Sequence, residues 1–344
     1  MRILLLVGAP HDLDISHAYY ADVLRSIGHE VWIGSVNEFL LRDGDLACPM
    51  TQVHADLEPH APAPGTFLLR SATQFDVAWL LNQPHPRIAE SVWQLLWRLN
   101  ERVSFVNDVV GLQMLNNKNN LSMVVPDGHV PWHLSTNDAE AIAGAISADP
   151  GRRWVLKPPN GGCGGDVFVI EPGSSNNRAL IQSMTGNATA SAAITRGGLL
   201  GLQVDYCLLQ EYVPHTSEKR IAVVGGEPVA AQEKTLGAHD HRGNVTQGAR
   251  MAITALTHEE VELAREVGAR LLRYGIRFAG LDVAYPMIFE VNLVNPGGLV
   301  ERMELGVPDP FIAPALEYLI SCVQNSAASA ASTAMAAGAG EYRA

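Results

Sequence analysis

Gly280-Leu281-Asp282-Val283-Ala284-Tyr285-Pro286-Met287-Ile288-Phe289-Glu290-Val291-Asn292-Leu293-Val294-Asn295-Pro296-Gly297-Gly298 holds two β-like runs about a Tyr285-Pro286 turn. Three polar residues, Asp282, Glu290 and Asn292, interrupt its apolar positions. Side chains alternate faces along a strand, so Glu290 and Asn292 point the same way, and hairpin pairing about the turn can bring Asp282 close to that face. Acids are uncommon among Val, Ile, Leu and Phe unless something holds them there. Hard cations such as Mg²⁺ take oxygen ligands, typically one or two carboxylates with the phosphates of a nucleotide, and this hairpin offers such a set. The plainer alternative is an edge hairpin with one solvated face.

The surrounding chain is long enough for two or three lobes, at 344 residues and 37.0 kDa, and 47% hydrophobic with 17% charged residues is a globular mixture. A net charge of −12 and a pI near 5.4 argue against a general nucleic-acid surface, so any anionic ligand must be met by local Arg and Lys. Cys48, Cys163, Cys207 and Cys322 show neither CxxC nor Cys/His metal spacing, which leaves the reducing cytoplasm as the expected compartment. The opening apolar run, residues 3–8, is too short for a signal peptide and reads as a first strand. No run approaches the roughly 18 apolar residues of a membrane span.

In order, strand 3–8, a helix from Ser16 to Ile27 stopped by Gly28, and strand Glu30 to Gly34 open a βαβ unit and a parallel sheet. Residues 42–65 read as loop, Phe75 to Leu81 as a buried strand, Pro86 to Leu99 as an amphipathic helix and Val103 to Val106 as a short strand. An N-terminal Rossmann-like lobe, 1–110, lacks GxGxxG, so a dinucleotide site is poorly supported. A helical segment 111–124 containing Lys118 and a helix near 138–148 follow. Strands 153–157 and 167–170 bracket Pro158-Pro159-Asn160-Gly161-Gly162-Cys163-Gly164-Gly165. A loop this rich in glycine lets backbone N–H groups cradle phosphate oxygens, with Lys157 at its entrance, although a plain hairpin turn is the alternative. Residues 184–201 read as a flexible connection, Tyr206 to Val213 as a strand, and Gly225-Gly226 as a two-residue hairpin turn. The loop 236–250 is too long for a simple connector, Thr257 and Glu260 form a capping box, Asp309 to Val323 is a closing helix, and 325–344 is a frayed tail.

Val155-Leu156-Lys157-Pro158 with the glycine loop, Gln210-Glu211-Tyr212-Val213, Glu218-Lys219-Arg220, Gly225-Gly226-Glu227-Pro228-Val229, Arg242-Gly243-Asn244, and Gly280-Leu281-Asp282 with Glu290-Val291-Asn292 resemble, in order and spacing, the ATP-grasp fold. The likeness is to bacterial glutathione synthetases, specific over 153–298 and loose over 1–150. It implies an α/β and α+β architecture with a central lobe, 111–205, and a C-terminal lobe, 206–324. It also implies an ATP-dependent ligase that joins a small-molecule carboxylate to an amine through an acyl phosphate. Lys118 and Lys157 would then hold ATP phosphates, Gly161, Gly162, Gly164 and Gly165 would close over them, and Gln210, Glu211, Tyr212 and Val213 would read the adenine edge. Glu218 would bind the ribose. Asp282, Glu290 and Asn292 would hold two Mg²⁺ ions, with Mn²⁺ as a substitute. Arg220 and Arg250 would grip the transferring phosphoryl group, and Arg242 and Asn244 would position substrate. Dimers are common in the resembled family, and no nucleic-acid or membrane partner is implied.

Positioning and charge neutralisation are what phosphoryl transfer needs, and Mg²⁺ with Arg and Lys supplies both without a covalent nucleophile. The resemblance departs at Asn295-Pro296-Gly297-Gly298-Leu299-Val300-Glu301, where Val300 stands at a substrate-holding Arg of the synthetases. Glutathione synthesis is therefore one candidate among several amide-forming reactions. A regulatory protein that only binds ATP, or a small-molecule kinase, are the alternatives on the same fold. Cys163 reads as a small filler rather than a nucleophile.

Overall fold

The computed structural model describes residues 1–160, 165–186, 205–235, 250–300 and 312–325. Three sheets organise them. The first contains Arg2–Val7 (β1), Glu30–Ser35 (β2), Leu40–Arg42 (β3), Asp45–Gln52 (β4), Leu68–Ser71 (β5), Val77–Leu80 (β6) and Ser104–Phe105 (β7). Its core, β2-β1-β6-β7, is parallel, as the opening βαβ pattern requires. β1 is buried at every position but its first, so it reads as an unbroken apolar run covered on both faces. Its partner helix, Ile15–Ser26, starts at Asp14, whose carboxylate accepts from the Ser16 N–H, and the next turn breaks at Gly28 with φ +93°.

The expectation of a loop over 42–65 is corrected here, because Asp45–Gln52 is a strand antiparallel to β2 and to β5. Pro49 hid it. A proline cannot donate to a ladder, yet this one pairs opposite Leu69 near the sheet's edge, where the missing N–H is tolerated. The helical segment 111–124 is likewise broken into Val109–Leu115, a 3₁₀ turn Lys118–Asn120 and Leu121–Val124. Asn117 makes the break, its side chain accepting from the Asn119 N–H at 2.9 Å in competition with the helix. Helix Asn177–Met184 ends where the expected connection 184–201 begins, and residues 187–201 of that connection fall outside the described residues.

The second sheet is antiparallel, His133–Thr136 (β8), Trp154–Lys157 (β9), Phe168–Ile170 (β10) and Cys207–Glu211 (β11), in the order β10-β9-β11-β8. β11 follows residue 205 yet closes this sheet. Its core of Ile142, Trp154, Leu156, Ile170, Ile181, Cys207 and Leu209 is separate from the core of its neighbours. The third sheet runs β14-β13-β12-β15-β16, from Ser217–Val224 (β12), Glu227–Thr235 (β13), Arg250–Ile253 (β14), Phe278–Ala284 (β15) and Met287–Asn292 (β16). It shares apolar clusters with the first sheet. Asn107 fastens the two: its Nδ2 donates to the Phe278 and Leu293 carbonyls, and its Oδ1 accepts from the Arg277 and Phe278 N–H groups at 2.7–3.0 Å. Residues 312–325 form a helix.

Gly225 and Gly226, at φ +58° and +91°, make the β12–β13 turn with the left-handed geometry that matches strand twist. Helix His258–Leu272, begun by the Thr257–Glu260 capping box, packs Leu263, Ala264, Val267, Gly268 and Leu271 inward. A Cβ at Gly268 would lie 2.5 Å from the Gly226 carbonyl oxygen. Gly268→Ala is therefore expected to destabilise by about 1–3 kcal/mol, through overpacking that backbone atoms cannot relieve by rotating. Urea unfolding checks this, and a loss under about 0.5 kcal/mol would refute the contact.

Candidate active site

The Tyr285–Pro286 hairpin does more than alternate. Its peptide is cis, and Ala284 pairs with Met287 and Val283 with Ile288. A straight continuation would set Asp282 opposite Phe289 and turn it away from Glu290. Instead the register shifts there, so that Asp282 lies opposite Glu290 and Gly280 opposite Asn292. Phe289 is the extra residue of a β-bulge. Its ring stacks on His215, centroids 4.9 Å apart, which turns it off the polar row.

Asp282 thereby joins a face built from three strands, and Arg220 of β12 pairs with it in register. Arg220 grips its carboxylate with two prongs, Nε to Oδ1 at 2.7 Å and Nη2 to Oδ2 at 2.9 Å. Lys234 donates to Oδ1 at 3.0 Å and Asn292 Nδ2 to Oδ2 at 3.2 Å. Four donors fill the four acceptor positions of the carboxylate. Burial pushes the Asp282 pKa up, but Arg220 and Lys234 together outweigh it and hold the group well below the usual carboxylate range. Glu218, 3.3 Å from Lys234, is raised, by burial first and then by the charge of Asp282. Arg220 Nη1 also donates to the Pro296 carbonyl, and Gln232 Nε2 to that of Gly298 at 3.1 Å, fastening the turn after β16 onto this face. Lys234 and Gln232 were not singled out from the sequence. The available signal was the spacing of Gln232 and Lys234, two apart and so on one face of β13, both buried.

A cavity of about 420 Å³ opens over this face, lined by Lys118, Asn160, Arg220, Glu290, Asn292 and Asn295 among others. Lys118 Nζ meets Glu290 Oε1 at 2.9 Å, and the Lys118 N–H donates to the Pro159 carbonyl, so the 3₁₀ turn ties the entrance of the glycine loop to the third sheet. The structure thus brings Lys118, Arg220, Glu290 and Asn292 into one cavity, with Asp282 behind them.

Lys157, Gln210 and Glu218 do not line that cavity. Lys157 ends β9 buried, and its Nζ donates to Gln210 Oε1 at 2.9 Å. Burial lowers its pKa to about 8, with Glu290 opposing that shift and Lys118 adding to it. Gln210 Nε2 is buried without a hydrogen-bond partner. The N–H groups of Glu211 and Tyr212 are taken by the carbonyls of Trp132 and Arg153, and the Tyr212 ring carries Arg153 at 4.3 Å. The Val213 carbonyl accepts from His215 at 2.7 Å when that ring nitrogen is protonated. Gly165 is described, whereas Gly161, Gly162, Cys163, Gly164, Arg242 and Asn244 lie outside the described residues. Of Arg250 only the backbone is described, where it opens β14 opposite Thr235.

No three His, Cys, Asp or Glu side chains gather as a metal group among the described residues. The donor set here is two carboxylates and a carboxamide, all oxygen, which suits Mg²⁺ completed by phosphate oxygens and water. With Nδ2 turned to Asp282, Asn292 keeps Oδ1 for the cavity it lines. Among the described residues Glu290 is held by Lys118, a lysine that a phosphate could draw off. The residues fit the ion, provided that Asp282 shares oxygens now held by Arg220 and Lys234.

Residues 122–306, more than half the chain, match the model of the prokaryotic glutathione synthetase ATP-grasp domain. The glutathione synthetase of Synechococcus elongatus is 28% identical over 345 residues, covering 93% of this chain and 99% of that protein. That of Bordetella parapertussis is 32% identical over 169 residues, 47% of this chain and 48% of that one. Among solved structures, the D-cycloserine synthetase DcsG superposes with a TM-score of 0.61 at 15% identity, covering 94% of this chain and all of that one. The ATP-grasp ligase PsnB, complexed with a phosphomimetic variant of its minimal precursor, Mg and ADP, gives 0.59 at 16%, covering 93% and 98%. These superpositions agree with the ATP-grasp fold expected from the sequence. No described helix is long and apolar enough to cross a membrane.

Proposed function

Because the chain belongs to the prokaryotic glutathione synthetase family of ATP-grasp proteins, ATP-dependent ligases that form carbon–nitrogen bonds, we propose that it makes an amide through an acyl phosphate. The substrate carboxylate attacks the γ-phosphorus of ATP, and ADP leaves with the electrons of the broken P–O bond. The amine nitrogen then attacks the acyl carbon, phosphate departs, and the nitrogen gives up a proton. The observation that carries this is the convergence of Lys118, Arg220, Glu290 and Asn292, from three separate segments, on one cavity. A site that clamps and neutralises in this way stabilises charge spread over transferring oxygens.

In this reading Lys118 leaves Glu290 for a phosphate oxygen, and Arg220 meets the transferring group from its anchorage on Asp282. Arg250 acts beside it, with Arg242 and Asn244 positioning substrate. Glu290, Asn292 and Asp282 hold Mg²⁺, which neutralises phosphate charge when bound; we assign two ions. Gly161, Gly162, Gly164 and Gly165 cover the phosphates. Lys157 and Gln210 Nε2 are buried donors for the nucleotide, the Val213 N–H meets the adenine edge beside Glu211 and Tyr212, and Glu218 takes the ribose. The separate core of the second sheet supports its movement as a clamp over the third. We keep the lobes 1–110, 111–205 and 206–324 as part of the proposal, with 206–211 counted in the central sheet.

An ADP-release screen over paired acids and amines, with the product's mass measured, tests the reaction. Release should require both partners; release without amine, or a stable phosphorylated product, overturns ligation. Glutathione formation itself is the second reading, favoured by the near full-length match to the Synechococcus elongatus enzyme, and the same mass measurement decides it.

Lys157 gives this a pH signature. A neutral amine cannot neutralise phosphate, so kcat/KM for ATP should fall as pH rises through about 8, where the buried Lys157 of the free enzyme deprotonates. Lys157→Met should lower kcat/KM and flatten that limb; an unchanged profile removes Lys157 from the phosphate site. In stability the sign is opposite. A lysine whose folded pKa is depressed carries a penalty below about 8, and the penalty is relieved as pH climbs toward its unfolded value near 10.4.

A further inference from the structure

The first sheet ends in another cavity, of about 660 Å³, beyond the carboxyl ends of β1, β2 and β6. From β1 the chain passes to β2 on one side and later to β6 on the other, so the cavity sits at a topological switch point, where open parallel sheets hold ligands. Its rim is knit together: the Gly8 N–H donates to Asn82 Oδ1 at 2.9 Å, and Asn37 Nδ2 donates to the Gly8 carbonyl at 3.2 Å. Asp12, Asp14 and three histidines, His17, His60 and His85, supply its titratable lining, with no Lys or Arg among the described lining residues. Asp14, Asn82 and Gln83 also line the cavity of Lys118, Arg220 and Glu290, so the two cavities adjoin across these residues.

Each of these adjoining cavities is lined by a buried polar atom without a hydrogen bond of normal geometry, one on His17 and the other on Asn295. His17, 3% exposed, accepts the Asp14 N–H at Nδ1 (3.0 Å), which leaves its proton on Nε2, buried beside the Leu81 backbone without a hydrogen bond of normal geometry. Burial lowers the pKa of His17 against the charge of Asp14 and the backbone of Leu81, consistent with a neutral ring. Asn295, at φ +48° in the turn after β16, donates Nδ2 to Ser16 Oγ at 2.7 Å, and its Oδ1 is buried with no donor. The cations nearest the reacting centre are committed to carboxylates, Lys118 to Glu290 and Arg220 to Asp282. Val300, 1% exposed, lines the wall where the resembled synthetases carry an arginine.

We propose that this crevice is the specificity pocket for a substrate that enters with an ammonium or amide N–H head and no free carboxylate, Asp12 and Asn295 accepting from the head while His17 Nε2 donates to a neutral oxygen beside it. The pocket's use in ligation rests on the reaction proposed above; its preference for amines rests on its own lining. An acidic dipeptide would set a carboxylate against Asp12 and Asp14, with His17, His60 and His85 but no Lys or Arg among the described lining residues to receive it. A carboxylate taken from water needs a paired cation.

Calorimetric titration and thermal unfolding without ATP test this, with 1,4-diaminobutane and glycinamide against glutarate and γ-glutamylglycine. The two amine probes should bind and raise the melting temperature at millimolar concentration, and the two acids should not. Asp12→Asn, at a side chain 64% exposed, should weaken amine binding by roughly tenfold or more while ATP binding is unchanged, and Asn295→Gly, which tolerates the positive φ, should weaken amine binding likewise. Acid probes binding in place of amines, neither class binding, or variants that bind amines as wild type does would each overturn the pocket. ADP release is followed in parallel. Amine binding with no amine-dependent release keeps the pocket and removes the ligation reading; acid-dependent release without amine binding does the reverse.

Discussion

Asp282→Asn is expected to fold into a protein about 3–5 kcal/mol less stable at neutral pH, with a stability profile that flattens below about pH 4. The carboxylate is buried, and its removal leaves Arg220 and Lys234 facing a neutral amide. Lys234 keeps Glu218 at 3.3 Å, and losing the repulsion of Asp282 lets that glutamate ionise more readily. Arg220 keeps the Pro296 carbonyl, which is no match for a bidentate carboxylate, so most of the loss falls on the arginine. A group whose folded pKa is depressed adds stability above its unfolded pKa, near 3.9, and loses it as pH falls through the folded value. Asp282 is such a group, so wild type and variant should converge in acid and differ most at neutrality. Urea unfolding at pH 7 and near pH 3 measures the narrowing of the gap. A pH-independent gap, or one below about 1 kcal/mol, would mean that the network is not what holds this sheet face together.

That network also marks the limit of what was legible in the sequence. The hairpin, its polar residues and their common face could be read because period-2 alternation is local. The bulge at Phe289 could not, although without it Asp282 would turn its back on Glu290. A bulge is selected by what the strand packs against, here His215 from another strand's approach. β1, the Gly225-Gly226 turn and the Thr257–Glu260 cap were legible for the same local reason, each a short-range rule with one dominant residue type. β4 was missed because Pro49 sits inside it and because it is covered on both faces, which removes the alternation that announces a strand. Lys118 was expected near the phosphates on resemblance alone; its ion pair with Glu290 spans 172 positions and no window contains it. His17 gave no signal, and Asn295 only that its segment departs from the resembled synthetases, since a buried atom without a hydrogen bond is a property of the assembled crevice and not of any stretch.

Glu290→Gln should behave in the opposite manner to Asp282→Asn, sparing the fold and abolishing turnover. Glu290 is 29% exposed at its side chain and its ion pair with Lys118 faces the cavity, so stability should change by less than about 1 kcal/mol. Chemistry is another matter. If Glu290 supplies a carboxylate oxygen to Mg²⁺, the amide that replaces it removes a full charge from the neutralisation of the transferring phosphates. ADP release should drop on the order of 10²–10³-fold, comparable to removing one preorganised electrostatic partner of a developing charge. The half-saturating Mg²⁺ concentration should rise with it, because a neutral oxygen binds a hard cation more weakly than a carboxylate. With Glu290 neutral, Lys118 should hold ATP no less tightly, so ATP binding without Mg²⁺ is expected to persist. This pattern separates a metal ligand from a mere counter-ion of Lys118: loss of the counter-ion alone would leave the Mg²⁺ dependence where it was. Turnover and Mg²⁺ dependence both equal to wild type would take Glu290 out of the metal site, and with it the reason for reading this hairpin as the floor of the reaction.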